Sequence, residues 1–268
     1  MSLRIQHNVE ALNAHRQLQS TSEKLSKAME RLSSGYRINR AADDAAGLAI
    51  SEKMRGQISG LAQAQRNLQD AVSMVQTAEG TLQEVHSMLQ RVRELAVQYK
   101  NGTLSPQNQA ALQSEVNQLA SEIERLGVSA AFNGIKLLNS QVVISFQVGA
   151  NDGETIGVST ISLGQKLPTS VFDLSGTADI SEVDAAIDAV SAQRAIFGAV
   201  QNRFEHSLAN IAIYQENLVA AESRIRDVDM AEETVEMTKN QILSQAGTAM
   251  LAQANQLPQN VLSLLRGG

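Results

Sequence analysis

The chain has 268 residues and a formal net charge of −6, contains neither cysteine nor tryptophan, and is only 3% aromatic. The missing cysteine excludes disulfides and thiolate chemistry, and the acidic balance argues against nucleic acid, whose phosphates need clustered lysine and arginine. A core poor in large rings is typical of narrow helix–helix spaces, which aliphatic side chains and alanine fill well.

The first predicted helix covers roughly residues 4–33 and ends at a glycine. Gly35 is expected to stop it, because glycine adopts the left-handed conformation easily after a helix. Residues 36–43 form a short connector, and Asp43-Asp44 supplies the negative charge that the next helix N-terminus favours. One apolar stripe is expected along the first helix, formed by Ile5, Val9, Leu12, Leu18, Leu25 and Leu32.

The second predicted helix, about residues 44–100, keeps apolar residues at three- and four-residue steps from Leu61 to Tyr99. This spacing is typical of helices that wind around other helices. A third helix begins at Ser105-Pro106, a capping hydroxyl followed by proline in the first turn, and is expected to end at Gly127.

The sequence changes character between about residues 132 and 180, where β-branched residues alternate in two short runs. The runs Val142–Val148 and Ile156–Thr160 flank the turn residues Asn151-Asp152-Gly153, which predicts a β-hairpin. Ser181-Glu182-Val183-Asp184 then resembles a capping box that opens a long helix reaching about residue 227.

The last predicted helix covers about residues 229–266 and is nearly uncharged beyond Glu236. Pro258 is expected to bend it or loosen one turn. Two adjacent apolar rows make a broad face. These rows are Val235, Ile242 and Ala249, and Leu243, Met250, Leu257 and Leu264.

These elements predict a mainly α fold, a long antiparallel coiled-coil or helical-bundle rod with a small β-hairpin insertion. We expect residues 1–42 and 229–268 to pair as a terminal coiled coil, and residues 43–228 to form a rod of three helices with the hairpin region at about 132–180. Burying one Leu-sized side chain is worth about 1.5–3 kcal/mol. Because each terminal helix has more apolar surface than one partner covers, the pair is expected to gather further copies, and to order only on association.

The sequence contains no recognisable catalytic, metal or cofactor motif, so an enzyme is the poorest interpretation. Its four histidines lie on different segments, and H-E-x-x-H, a Walker loop and G-x-S-x-G are all missing. The N-terminus lacks the pattern of a secretory signal peptide, and no stretch approaches the ~20 apolar residues of a membrane span.

Several runs, in order along the chain, match the pattern of one protein family. They are LSSGYRIN at 32–39, ADDAAGLAIS at 42–51, QRNLQDAVSMVQTAEG at 65–80, LQRVRELAVQ at 89–98, FNG at 132–134, FQVGAN at 146–151 and AMLAQANQLPQNVLSLLR at 249–266. The chain therefore resembles bacterial flagellin, the subunit of the flagellar filament. Only about 50 residues fill the interval where many flagellins carry a variable outer domain, so it resembles a short, core-only form.

The resemblance implies a structural protein, without cofactors, that is exported unfolded through the flagellar type III apparatus. It would self-assemble into the extracellular filament used for swimming, with paired terminal helices as the inner tube. Besides further copies of itself, the implied partners are an export chaperone, the export apparatus, the filament cap, hook-junction proteins and a host Toll-like receptor. Neither nucleic acid nor membrane insertion is expected.

The residues expected to act fall into three groups. Filament assembly is assigned to Ile5, Val9, Leu12, Leu18, Leu25, Leu32, Val235, Ile242, Leu243, Ala246, Met250, Leu257, Val261 and Leu264. Carried over by motif, an innate-receptor contact falls on Gln90, Arg91, Glu94, Leu95 and Glu115. A chaperone or cytosolic-sensor contact falls on Val261, Leu262, Leu264, Leu265 and Arg266.

Two other interpretations stay open at this point. The related hook–filament junction protein shares the helical ends, although the run Asn255–Arg266 favours the filament subunit. An amphipathic membrane-binding bundle would also have broad apolar terminal faces. It would normally flank them with lysine and arginine, whereas the last helix presents glutamine, asparagine and serine.

Overall fold

A computed structural model describes residues 8–167, 169–174 and 180–266, with the helical backbone alone for 169–170 and 257–266. The predicted mainly α fold is confirmed, since only small antiparallel strand pairs interrupt the helices. The helices are α1 (Val9–Ser34), α2 (Ala45–Tyr99), α3 (Pro106–Ser129), the short α4 (Leu163–Lys166), α5 (Ile180–Arg226) and α6 (Met230–Arg266). The strands are β1 (Ala131–Phe132), β2 (Ile135–Lys136), β3 (Val143–Gln147) and β4 (Thr155–Ser159).

Polar side chains and one glycine set the helix ends, at Gly35 and Ser105 as the sequence predicts and at Asn8 where no cap was predicted. The Asn8 side chain accepts from the Ala11 amide at 3.1 Å to start α1. Gly35 ends α1 with φ 75°. Asp44 accepts from the Gly47 amide at 2.8 Å at the start of α2, and Ser105 caps α3. These ends satisfy backbone groups that have no partner inside a helix.

The chain divides into two compact units, Met1–Gly56 with Leu218–Gly268, and Gln57–Asn217. In the second unit, the apolar stripe of α2 is buried together with residues of α3 and α5. Ion pairs join α2 to α5 in antiparallel register, Glu79 to Arg194 and Arg93 to Asp184.

The predicted β-hairpin is confirmed as β3 and β4, which pair Ile144 with Val158 and Phe146 with Ile156. Its turn contains Gly153 at φ 85°. The hairpin packs on α5 of the same unit, where the Phe146 and Phe204 rings meet edge to face with centroids 5.8 Å apart.

Two predicted helix boundaries are wrong. Gly127 does not end α3, which continues to Ser129. A Cβ atom at Gly127 would lie 3.3 Å from Cδ1 of Leu163, so this position is small because another segment packs on it. Ser181 does not cap α5, because the helix already includes Ile180.

Candidate assembly surface

In the first unit, α1 and α6 lie antiparallel along each other. Gly247 marks a close approach, since a Cβ atom built on it would lie 3.2 Å from Cδ1 of Leu18. Two polar contacts flank this point. Asn8 Nδ2 donates to the Ala254 carbonyl at 2.8 Å, and Arg31 pairs with Glu233 at 3.6 Å. Helices α1 and α6 are therefore in contact along their length within one chain.

The surface between α1 and α6, here called the seam, is built mainly from small and polar residues on the α6 side. Alternating steps of three and four residues place buried or half-buried positions along both helices, as two-helix packing requires. On α1 these are Ala11, Ala14, Leu18, Thr21, Leu25, Ala28 and Leu32. On α6 they are Glu233, Met237, Asn240, Ser244, Gly247, Leu251 and Ala254.

The buried polar groups of the seam are satisfied by their own helices. Thr21 donates its hydroxyl to the Gln17 carbonyl at 2.9 Å. Asn240 is only 2% exposed and donates to the Glu236 carbonyl at 2.9 Å. A carboxyl oxygen of Glu236 also lies within reach of the Asn240 amide, and hydrogen bonding by Lys239 lowers the pKa of that carboxyl.

Other apolar side chains of the pair point away from the seam. On α6, Val235 is 68% exposed, Ile242 60% and Met250 66%, and Leu243 and Ala246 are exposed as well. On α1, Val9 and Leu12 are also exposed. We call these seven residues the outward faces.

The predicted assembly residues whose side chains are described thus fall into two sets, those of the outward faces and those half-buried in the seam. The single stripe predicted for α1 is wrong, because Val9 and Leu12 lie on a different face from the half-buried Leu18, Leu25 and Leu32. Ile5 lies outside the described residues. The side chains of Leu257, Val261, Leu262, Leu264, Leu265 and Arg266 also lie outside what the structure describes.

The two connectors of this unit, α1 to α2 and α5 to α6, are hydrogen-bonded to each other. The Arg37 amide donates to the Arg226 carbonyl at 2.7 Å, and the Val228 amide donates to the Gly35 carbonyl at 3.0 Å. Arg226 also pairs with Glu52 at 2.6 Å, and this hydrogen bond lowers the pKa of the Glu52 carboxyl. No sequence pattern indicates this junction, because residues distant in the chain form it, partly through backbone groups.

In the second unit, four of the five residues assigned to a receptor contact are exposed. Arg91 lies between two carboxylates, with Glu115 at 2.8 Å and Glu94 at 3.1 Å, and Gln90 is exposed beside them. The hydrogen bonds that Arg91 donates to these carboxylates, chiefly to Glu115, raise the pKa of Arg91. Leu95 differs, being 1% exposed. Its side chain belongs to the buried apolar stripe of α2 and is not part of the exposed surface.

Across the part of the chain that the structure describes, no group of three or more potential metal-ligating side chains comes together. Within the same residues, no helix is both long and apolar enough to cross a membrane.

Comparison with known proteins gives a consistent result along the whole chain. Residues 5–142 match the family model of the bacterial flagellin N-terminal helical region, and residues 180–265 match that of the C-terminal helical region. The flagellin of Halalkalibacterium halodurans is 53% identical over 270 residues, covering 98% of this chain and 99% of that protein. The flagellin of Bacillus subtilis is 48% identical, covering 98% and 100%.

Similarity extends to a filament core protein and to a solved structure. The flagellar filament 33 kDa core protein of Treponema phagedenis is 47% identical over 284 residues, covering 98% of this chain and 99% of that protein. A crystal structure of Bacillus cereus flagellin aligns with a TM-score of 0.51 at 31% identity, covering 55% of this chain and 88% of that one.

Proposed function

We propose that this chain, which belongs to the bacterial flagellin family, polymerises through the outward faces of α1 and α6. As a flagellin it is a structural subunit of the extracellular flagellar filament, and the family is not one of enzymes. The proposal concerns which surface carries the assembly. It places that surface on residues 1–42 and 229–268, with residues 43–228 as the rod.

The observation that carries the proposal is the exposure of three large apolar side chains of α6 in the single subunit. Val235, Ile242 and Met250 are each at least 60% exposed along one helix. Soluble monomers rarely leave contiguous apolar surface uncovered unless it binds a partner. Because the chain belongs to a filament-forming family, we take that partner to be a further copy of the same chain.

The seam supports the same proposal from the other side. Gly247, Ser244 and Ala254 leave little apolar surface on the α6 side of the seam, so the leucines of α1 are only half-buried in the single pair. The small residues bring the two helices close, while Val235, Ile242 and Met250 stay outward. Neighbouring subunits then supply the apolar burial that the single pair lacks.

We propose further partners on the strength of the family. Before assembly, an export chaperone would hold the segment containing Val261, Leu262, Leu264, Leu265 and Arg266, and the type III apparatus would export the chain. Filament cap and hook-junction proteins would contact the assembled subunits. A host Toll-like receptor would contact Gln90, Arg91, Glu94 and Glu115, which are exposed, through polar groups and without the Leu95 side chain. A cytosolic sensor would use the same C-terminal residues as the chaperone.

Among the alternatives raised by the sequence, a hook–filament junction protein and a membrane-binding bundle have no observation in their favour. Several relatives that match over nearly their full length are named flagellins or filament core proteins. The filament subunit is therefore the function that we adopt.

The test compares the full chain with a variant lacking residues 1–35 and 236–268, each offered short filament seeds. The full chain is expected to elongate the seeds, and the shortened chain is expected to stay soluble while keeping the helix content of residues 57–217. Electron microscopy and sedimentation read out both results. Normal filaments from the shortened chain would place assembly on the rod and overturn the proposal.

A further inference from the structure

Helix α6 contains a proline in its interior, and this leaves one carbonyl group without its usual donor. In an α-helix the amide of each residue donates to the carbonyl four residues earlier. Pro258 has no amide hydrogen, so it cannot donate to the carbonyl of Ala254. Ala254 is only 8% exposed, which limits the access of water to that carbonyl. A buried carbonyl in this position needs another donor.

The donor comes from the opposite end of the sequence. Asn8 Nδ2 donates to the Ala254 carbonyl at 2.8 Å, across a separation of 246 residues. The same Asn8 side chain accepts from the Ala11 amide at 3.1 Å and so caps α1. One amide group therefore performs two tasks, one in each helix.

We propose that Asn8 sets the register of α1 against α6 by replacing the hydrogen bond that Pro258 cannot make. A positioning residue is useful here because the seam repeats every seven residues. Leu18, Leu25 and Leu32 recur at that interval, so a shift by one repeat would return leucines to the seam. The hydrogen bond from Asn8 to the Ala254 carbonyl, which Pro258 leaves without a donor, forms at one register only.

The register determines which outward side chains of α1 stand beside those of α6. The inference therefore rests on the proposed function, in which the outward faces of both helices together form the assembly surface. A shift of seven residues would move α1 by about 10 Å along α6. It would also remove Gly247 from beneath Leu18, where the close approach of the two helices depends on the missing side chain.

Two substitutions separate the donor role of Asn8 from its capping role. Asn8→Asp keeps a cap of equal quality, because aspartate and asparagine serve equally well at this position, but it removes the amide donor. Pro258→Ala returns an amide hydrogen to α6 and makes the Asn8 donor unnecessary. The experiment makes Asn8→Asp in the natural background and again in the Pro258→Ala background.

Register is read directly by cysteine pairs, which the cysteine-free chain permits without background. Leu18→Cys with Gly247→Cys reports the observed register, since a Cβ at Gly247 would lie 3.7 Å from Cβ of Leu18. This separation suits a disulfide, whose Cβ atoms are about 3.8 Å apart. A single chain with Leu18→Cys, Leu25→Cys and Gly247→Cys lets the 25–247 bond, which reports the register shifted by seven residues, compete with the 18–247 bond, and it leaves no Leu18 side chain against the new Cβ at position 247. Mild oxidation forms the bonds, and peptide mass spectrometry counts them in seeded filaments and in soluble subunits.

With Asn8, the 18–247 disulfide is expected to dominate. Asn8→Asp is expected to increase the 25–247 disulfide and to raise the critical concentration for seeded growth by about 3- to 10-fold, the range for loss of one hydrogen bond. In the Pro258→Ala background the same substitution is expected to change either quantity by less than about twofold. If Pro258→Ala chains do not polymerise, the disulfide ratio in soluble subunits decides.

Two results would overturn the proposal. One is an unchanged disulfide ratio in every variant, which would mean that Asn8 does not control register. The other is an equal change in both backgrounds, which would remove Pro258 from the explanation. A shifted ratio with unchanged filament growth would support the role of Asn8 in register and count against the outward faces as the assembly surface.

Discussion

Replacing Ile242 with serine tests the outward face of α6 quantitatively. Ile242 is 60% exposed in the subunit, so association can bury at most that fraction of it. Burying a whole isoleucine side chain is worth about 1.5–3 kcal/mol, and six-tenths of that is about 0.9–1.8 kcal/mol. Ile242→Ser should remove this contribution from the filament. An exposed substitution changes the free energy of unfolding of the subunit itself by no more than about 0.5 kcal/mol.

The measurable consequence is a critical concentration about 5- to 20-fold higher than that of the natural chain. Sedimentation of seeded reactions at several protein concentrations gives this value, and circular dichroism reports the helix content of the soluble subunit. Ile242→Leu is the matched control, because it keeps the apolar surface and should leave the critical concentration unchanged. Normal growth of Ile242→Ser, with intact helix content, would refute the assignment of this face to assembly.

Two further predictions concern the interior of the second unit and the α1–α2 connector. Phe204 is fully buried against Phe146. Phe204→Ala should therefore lower the free energy of unfolding, measured in urea, by about 3–5 kcal/mol, and Phe204→Leu should lower it by clearly less. Equal losses in the two variants would contradict this packing. The Asp43 carboxyl accepts hydrogen bonds from the backbone amides of Arg40 and Asn39, chiefly Arg40, which lower its pKa from 3.8. Because the folded-state pKa is depressed, this stabilisation is present above pH 3.8 and is lost as the pH falls through the folded-state value. Amide exchange in the connector, corrected for its intrinsic pH dependence, should therefore accelerate on acidification, and a similar acceleration in Asp43→Asn would contradict that cause.

Local signals in the sequence were sufficient for most of the elements. Gly35 and Ser105 act as expected because caps depend on a few neighbouring residues and on backbone geometry that few residue types satisfy. The three- and four-residue spacing identified α2, since a helix buried along its length must repeat its apolar residues at that period. The hairpin followed from alternation on both sides of a turn centred on Asn151–Gly153.

The features that the sequence did not predict depend on neighbours distant in the chain. Gly127 carries the same local signal as a helix stop, and only the presence of Leu163 explains why it lies inside α3. Leu95 was assigned to a receptor contact by motif, but its side chain lies on the buried apolar stripe of α2.

The orientation of α6 was the largest gap between sequence and structure. Hydrophobic periodicity marks the side with the largest apolar residues, such as Ile242, as the side that is buried. In the single subunit the buried side is instead the one with Gly247 and Asn240. Periodicity identifies surfaces that will be covered, and it does not say whether the same chain or another copy covers them.

The small-residue seam has a thermodynamic consequence for the whole population of chains. A pair that meets glycine, serine and alanine on one helix and keeps Val235, Ile242 and Met250 outward obtains only part of its apolar burial from a solitary molecule. Mass action then links the order of α1 and α6 to the amount of protein present, much as a ligand stabilises its receptor. Residues 57–217 enclose their own core and have no such dependence, so heating should reveal one transition that rises with protein concentration and one that does not.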